Sequence, residues 1–447
     1  MCENNRIGVT SEDEEKIKAL ASEEKEGGHT VYEKIINSIA PSIHGLRFVK
    51  ESVMLQMFGG VSKKMSDETT IGGDIHILIV GDPGIGKTKI LSSVHALAPN
   101  SVLIGDLLSN KNMPGDKKSE HVMLTPEMMA MADNGILVID DVHFMQNRDW
   151  RTLVNVMEGQ KTPAVKDGKI VEMDRYFSTL ITASPRFGRF DEYRPISEQI
   201  EIPINTLILF DIIFSIDDKP GVKKDSEIAE HILRMHSQKL VAEPEIKPEL
   251  LKKYITYARK NVFPTLTEEA KKTLKEYYIN LRKFGEDENS PVPVTPRQFV
   301  SLIKLSEASA RIRLSNEVSK EDAEWGIRMF EESLKRTCFD YETGRFDVDV
   351  VATGRSQAEA ERSRNVLNII NELSQKNKKG AVMGDIIKES STAGISRYKL
   401  ENTLFSLVYD GVISRKEYYR LEEGKPKTKK TSGDKRWAQK DLWNCGN

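Results

Sequence analysis

Residues 81–89 read GDPGIGKTK, and how that stretch is read decides the fold. Gly81, Gly86, Lys87 and Thr88 satisfy the pattern G-x-x-x-x-G-K-[ST]. The spacing has a chemical reason. Glycines let backbone N–H groups curl around phosphates, a lysine supplies a point charge to the outer phosphates, and a threonine hydroxyl is offered to Mg²⁺. Asp82, Pro83, Gly84 and Ile85 complete the cradle. An apolar run, IHILIVG (75–81), enters the loop, and a helical pattern, TKILSSVHAL (88–97), leaves it. That context separates the stretch from a chance glycine-rich turn and makes ATP with Mg²⁺ the expected ligand.

Outward from the loop, further short apolar runs alternate with helical stretches: SVLIG (101–105), GILVID (135–140), STLITAS (178–184) and ILFDIIFSI (208–216). This is the pattern of a parallel α/β sheet. From 224 to 338 the text turns helical, in SEIAEHILRMHSQKL (226–240), TEEAKKTLKEYYINLRKF (267–284), TPRQFVSLIKLSEASARIRL (295–314) and SKEDAEWGIRMFEESLK (319–335). Ser319 followed by Glu321 and Asp322 is a good helix opening, with acids near the positive end of the dipole. The expected divisions are a charged tail over 1–30, read as mobile or as a loosely docked helix, an α/β core over 31–218, a helical region over 219–340, a linker over 341–361, and a third unit over 362–447.

Composition narrows the class. The 447 residues carry 66 Lys and Arg against 68 Asp and Glu, so any grip on nucleic acid must come from local patches. Cys2, Cys338 and Cys445 form no CxxC pair, which argues against a disulfide framework or a cysteine zinc site and fits a reducing compartment. The most apolar run, TLILFDIIFSI (206–216), contains Asp211 and is too short to span a bilayer. The charged opening of the chain has no apolar signal core, so nothing suggests export.

The chemistry-bearing stretch after the loop is GILVIDDVHFM (135–145). Asp140 ends a buried apolar strand, where a carboxylate is costly unless it binds something, and Mg²⁺ is the natural candidate. Asp141 reads either as the group that polarises an attacking water or as a solvated strand-end acid. His143 is assigned no role.

At this point the residues resemble a specific family, the MCM replicative helicases, particularly archaeal ones, within the AAA+ ATPases. The resemblance runs through SIAPSIHGLRFVKESVMLQMFGGV (38–61), GDIHILIVGDPGIGKTKIL, ADNGILVIDDVHFM, NVMEGQKTPAVKDG, ASPRFGRFDEYRPISEQIEIPINTLILFDIIF and VTPRQFVSLIKLSEASARIRL. It implies an AAA+ P-loop NTPase core, a helical lid with sensor 2, and assembly as a homo-hexamer or as a mixed ring with a paralogue. It also implies action on DNA, cytoplasmic and nucleoid-associated in an archaeon or nuclear in a eukaryote.

Carried over, Lys87, Thr88 and Asp140 match nucleotide and metal ligands. Lys166 matches the hairpin lysine that touches DNA in the central channel, and Arg297 matches the sensor 2 arginine that reaches a neighbour's nucleotide. From the residues alone, PAVKDGKIVEM is a short basic turn between strands that could meet phosphates, or an ordinary solvated hairpin.

Departures fall on catalysis. The family's Asp-Glu pair is Asp140-Asp141 here, the sensor 1 asparagine is Ser184, and the arginine finger is Leu209. Such a finger is worth roughly 10³–10⁵ in rate where measured in GTPases. The expectation is a chain that holds ATP well and hydrolyses it poorly, with Leu209→Arg raising turnover in an assembled ring. A non-motor ring subunit and an origin-binding initiator are the alternatives. The family's amino-terminal DNA- and zinc-binding domain is expected to be missing before residue 31.

Residues 362–447 resemble a winged helix, with Val366, Leu367, Ile369, Ile370 and Leu373 fitting one buried helix face. From Gly411 to Asn447 ten Lys and Arg stand against five Asp and Glu. Arg397 and Lys399 on the candidate recognition helix, and Arg415 and Lys416 at the wing, are the candidate DNA cations; a protein-docking module is the equal alternative.

Overall fold

The structure, a computed structural model, describes residues 8–25, 28–67, 70–105, 124–159, 161–166, 169–186, 188–189, 199–216, 218, 220–237, 243–283, 294–337, 339–340, 345–346, 357–377, 380–409, 412–415 and 419–421. Two compact units divide the chain, Met1–Ser356 and Gln357–Asn447.

In the first unit the strands that matter are β1 (Ile77–Gly81), β2 (Ser101–Ile104), β3 (Ile136–Ile139), β4 (Lys161–Lys166), β5 (Lys169–Asp174), β6 (Ser178–Ala183) and β7 (Ile212–Ile216). Five of them form one sheet in the order β7-β1-β6-β3-β2, every neighbouring pair parallel. β1, β3, β6 and β7 are buried along their whole length, which is why they read as unbroken apolar runs rather than alternating ones. The last run begins later than predicted, at Ile212, because Ile204–Leu207 is a short helical turn and Asp211 is held by side chains.

Register places the site. Ala183 pairs with Val80 and Ile181 with Ile139, so the carboxyl ends of β1, β6 and β3 lie side by side. The loop after Gly81, Ser184, and the Asp140-Asp141 pair therefore share one edge of the sheet, where open α/β sheets bind ligands. β4 and β5 pair antiparallel, with Lys166 opposite Lys169.

The helices used below are α1 (Ser11–Ser22), α2 (Arg47–Phe58), α3 (Lys87–Leu97), α4 (Val222–Ser237), α5 (Pro248–Asn261), α6 (Glu268–Lys283), α7 (Pro296–Ile312) and α8 (Lys320–Thr337). The charged opening folds into α1, capped by a reciprocal Thr10–Asp13 box, with Ile17 buried and Asp13 paired to Lys253 of α5 at 2.7 Å. α5 itself has Pro248 in its first turn and was not singled out in the sequence. Thr295 and Gln298 box the start of α7, and Ser319 and Asp322 bond reciprocally at the start of α8. Gly326 lets α7 and α8 approach closely: a Cβ there would lie 2.8 Å from Ser306 Oγ. Buried Arg311 of α7 donates to the carbonyls of Phe58, Gly59 and Gly60, satisfying the C-terminus of α2.

A buried polar network ties the sheet to α7. Asp211 accepts from the His76 N–H at 2.8 Å, from Ser301 Oγ, and from Lys304 Nζ at 3.2 Å. The His76 ring lies within hydrogen-bond distance of Thr179, which donates its backbone N–H to Nδ1 at 3.2 Å. Burial pushes the imidazole down from 6.5 to about 3, although Asp211 pulls the other way. Between those values the unfolded chain binds the proton and the folded chain does not, so stability from this source is whole above about pH 6.5 and is lost as pH falls. Lowering the pH from about 7.5 to about 5.5 is expected to cost about 1.4 kcal/mol through this group. Urea melts at both values check it, and His76→Gln should flatten the slope by that amount.

The second unit contains α9 (Gln357–Lys376), α10 (Met383–Thr392), α11 (Arg397–Tyr409) and an antiparallel pair, β8 (Ile413–Arg415) and β9 (Tyr419–Leu421). Its core holds Val366, Ile370, Ala381, Ile386, Leu400, Leu404, Leu407 and Ile413. Leu367 and Leu373 pack at the margin, and Ile369 is only half-buried. Among the described residues no helix is long and apolar enough to cross a membrane, and no group of three or more His, Cys, Asp or Glu could hold a metal ion.

Candidate nucleotide-binding site

The loop between β1 and α3 has the backbone its glycines were chosen for. Gly84 and Gly86 have φ of +88° and +94°, and a Cβ on Gly86 would lie 2.7 Å from Ile43 Cδ1. Ile43 therefore packs directly against the loop. Asp82 ties it to the end of β7, donating its N–H to Ile216 O and accepting the Asp218 N–H at 3.1 Å.

Lys87, in the first turn of α3, is 8% exposed and donates from Nζ to the carbonyl oxygens of Gly81 and Asp82, the second at 2.9 Å. Burial lowers its pKa, and the charges of Asp141, Asp140 and Asp82 oppose that. Acids from two different segments thus act on one ammonium. Thr88 follows on the exposed side of the same turn, and Pro83 is also exposed.

Thr182 joins the strand-end acids. Its hydroxyl donates to Asp140 Oδ1 at 2.8 Å and accepts the Asp141 N–H at 2.9 Å. Asp141 has φ of +54°, a conformation that costs about 1–3 kcal/mol in a non-glycine residue and persists only when its surroundings over-determine it. Here they do. Ser184 Oγ donates to Asp141 Oδ2 at 2.9 Å, and His143 Nδ1 lies 3.0 Å from Oδ1.

The structure thus gathers Lys87, Asp140, Asp141 and Ser184. Ser184 bonds the very acid that departs from the resembled pattern. Arg297 is placed elsewhere in the bonding pattern: exposed in the first turn of α7, it donates from Nη2 to Leu209 O at 3.3 Å. Leu209 is completely buried in the core, so an introduced guanidinium would have to leave that packed position before it could meet a neighbour's nucleotide.

Lys166 ends β4, and its side chain lies outside the described residues. In the second unit Arg397 pairs with Glu401 at 2.9 Å and Lys399 is half-buried on the same helix. Arg415 ends β8 with its side chain outside the described residues, as is all of Lys416.

Sequence reasoning missed Thr182 and Ile43 as residues that touch the site, and it assigned His143 no role. A threonine inside the apolar run STLITAS was the available signal for the first, since a buried hydroxyl needs a partner. Nothing local announced Ile43.

A glycine loop at the carboxyl edge of a parallel sheet, with a buried lysine and strand-end acids converging on it, defines a P-loop α/β protein carrying a helical lid. Residues 13–236 match the family model of the MCM P-loop domain, and 249–334 that of the MCM AAA-lid domain. The chain belongs to the MCM family. It is 36% identical over 415 residues to the minichromosome maintenance protein MCM of Saccharolobus solfataricus, covering 92% of this chain and 59% of that one. It is 32% identical over 420 residues to an uncharacterized MCM-type protein of Methanocaldococcus jannaschii, 86% of this chain and 55% of that one. It is 33% identical over 360 residues to the DNA replication licensing factor MCM4 of Arabidopsis thaliana, 78% of this chain and 42% of that one. The chain spans about half the length of the curated relatives it matches.

Proposed function

We propose that the chain is an MCM-type ATP-binding protein that works on DNA in replication, built as an ATP-driven helicase motor whose own turnover is attenuated. The observation that carries this reading is Lys87: a buried ammonium inside a phosphate cradle, with Asp140 and Asp141 close enough to act on its charge. Lys87 would meet the outer phosphates, and the loop N–H groups from Asp82 to Thr88 the inner ones. Thr88 and Asp140 would hold Mg²⁺. A hydroxyl and a carboxylate are the hard oxygen donors this ion takes, and Thr182 fixes the orientation of the carboxylate. When bound, the ion would neutralise phosphate charge.

Attenuation is supported by the Ser184–Asp141 hydrogen bond and by Leu209. Ser184 is spent on a carboxylate that is itself one methylene shorter than the family's glutamate. Misplacing a catalytic group by about 1 Å can cost on the order of 10²-fold in rate. Leu209 supplies no charge, and its burial favours the second reading, an ATP-holding subunit of a ring whose active sites a paralogue completes. In that ring Arg297 is the cation on offer to the neighbour. The two family matches favour either reading over an initiator. Three helices followed by a strand pair support a winged helix in the second unit, with Arg397, Lys399, Arg415 and Lys416 as its phosphate contacts and Lys166 as the channel cation.

Mg·ATP binding and turnover, measured with and without single-stranded DNA, test this. Tight binding is expected, with DNA-stimulated turnover at least about 10²-fold below that of a relative carrying the full Glu, Asn and Arg set. No ATP binding would end the proposal, and unattenuated turnover would end its second half.

A further inference from the structure

Lys50, in the first turn of α2, is 7% exposed. Its Nζ donates to the carbonyl oxygens of Ile43 at 2.9 Å and Ala40 at 3.2 Å. A buried ammonium gathers acceptors around itself, because leaving it without partners in the interior is costly. The segment it gathers, 40–46, passes through three positive φ angles: +42° at Ala40, +73° at Gly45 and +53° at Leu46. Two of these residues are not glycine, and such conformations persist only where the surroundings over-determine them.

The same segment is pinned to α3 at two places. The Ala40 N–H donates to Ser93 Oγ at 2.9 Å, and Ile43 Cδ1 lies only 2.7 Å from where a Cβ on Gly86 would stand. Gly86 caps the start of α3 with φ of +94°, so its conformation sets where the N–H groups of Lys87, Thr88 and Lys89 point. Those donors have no intrahelical acceptors and are the kind a phosphate takes. A glycine leaves such a conformation readily unless something stands against it. Ile43 stands against it, and Lys50 holds Ile43.

We propose that Lys50 and Ile43 are positioning residues for nucleotide binding: the ammonium fixes segment 40–46, and the isoleucine it carries keeps Gly86 in the conformation that aims the loop at phosphates. The inference rests on the ATP-binding reading above and deepens it. Both residues act through the backbone of the loop, not by contact with the ligand. The strain at Ala40 and Leu46 is what it takes to bring Ile43 onto Gly86 from a helix that begins at Arg47. A preorganised loop gives up less freedom on binding, so loosening it weakens affinity without removing a single donor.

The test titrates the full chain with Mg·ATP and, separately, with inorganic triphosphate, at a temperature where melts show each variant folded. Ile43→Val removes only Cδ1 and should weaken both ligands by at least about 3-fold, while Lys50→Met and Ile43→Ala should each weaken both by about 10-fold. Because the ammonium acts through the isoleucine, Lys50→Met combined with Ile43→Ala should also lose about 10-fold, where independent effects would multiply to about 100-fold. A smaller change than that in Ile43→Val overturns the proposal, and this variant decides the matter if Lys50→Met does not fold. A multiplicative loss in the double variant overturns it too. So does a loss confined to ATP with triphosphate binding unchanged, because Ile43 would then be touching the nucleoside instead of positioning the loop. In each of these cases wild-type binding leaves the ATP-binding reading intact. Wild-type protein that binds neither ligand overturns both.

Discussion

Arginine in place of Leu209 is expected to disrupt the core of the first unit instead of restoring turnover. Leu209 has no solvent exposure, and it precedes Phe210, Ile212 and Phe214, all buried. A guanidinium there would lose its hydration in the core, and the Arg297 guanidinium already occupies the Leu209 carbonyl. Breaking core packing at one leucine typically costs about 2–5 kcal/mol, and an uncompensated buried charge adds about 3–5 kcal/mol. Against total stabilities of about 5–15 kcal/mol that is enough to unfold the unit or to lower its melting temperature by on the order of 10 °C or more. Differential scanning fluorimetry of Leu209→Arg beside Leu209→Ala separates the charge from the lost volume. A folded Leu209→Arg protein with an unshifted melt and raised turnover would mean that the side chain can leave the core, and the finger position would then be open after all.

The second large effect is expected at Lys87. Removing the ammonium by Lys87→Ala takes away the cation inside the cradle and leaves Asp82, Asp140 and Asp141 to repel a triphosphate. Charge-assisted hydrogen bonds of this kind are worth about 1.5–3 kcal/mol, and the uncovered acids add to the loss. ATP affinity should fall by about 10²-fold or more, measured with a fluorescent ATP analogue or by calorimetry. The fold should survive, because α3 keeps Ile90, Leu91, Val94 and Leu97 in the core. Unchanged affinity would refute the assignment of this loop as the phosphate site.

These two residues were not equally legible. Lys87 could be read from a local pattern because strand, glycine turn, lysine and helix are contiguous in sequence. Leu209 could not. Alignment with a family places a position in the chain, but whether its side chain faces a neighbouring subunit or the core depends on what packs over it. α8 packs against β7, and Arg297 arrives from α7 to cap the Leu209 carbonyl.

What the sequence by itself determined is the set of elements: five strands, four of them with the unbroken apolar runs of a sheet covered on both faces, the glycine loop after the first, and paired acids after the third. These follow from short-range sterics and hydrophobic burial, which act within a few residues. Only the tertiary structure decided which side chains meet. Thr182 bridges Asp140 and Asp141 across more than forty positions, Ser184 reaches Asp141, Ile43 seats against Gly86, and Leu209 turns inward. Each depends on strand order and register, set by how the whole chain closes its core, and no local pattern of residues carries that information.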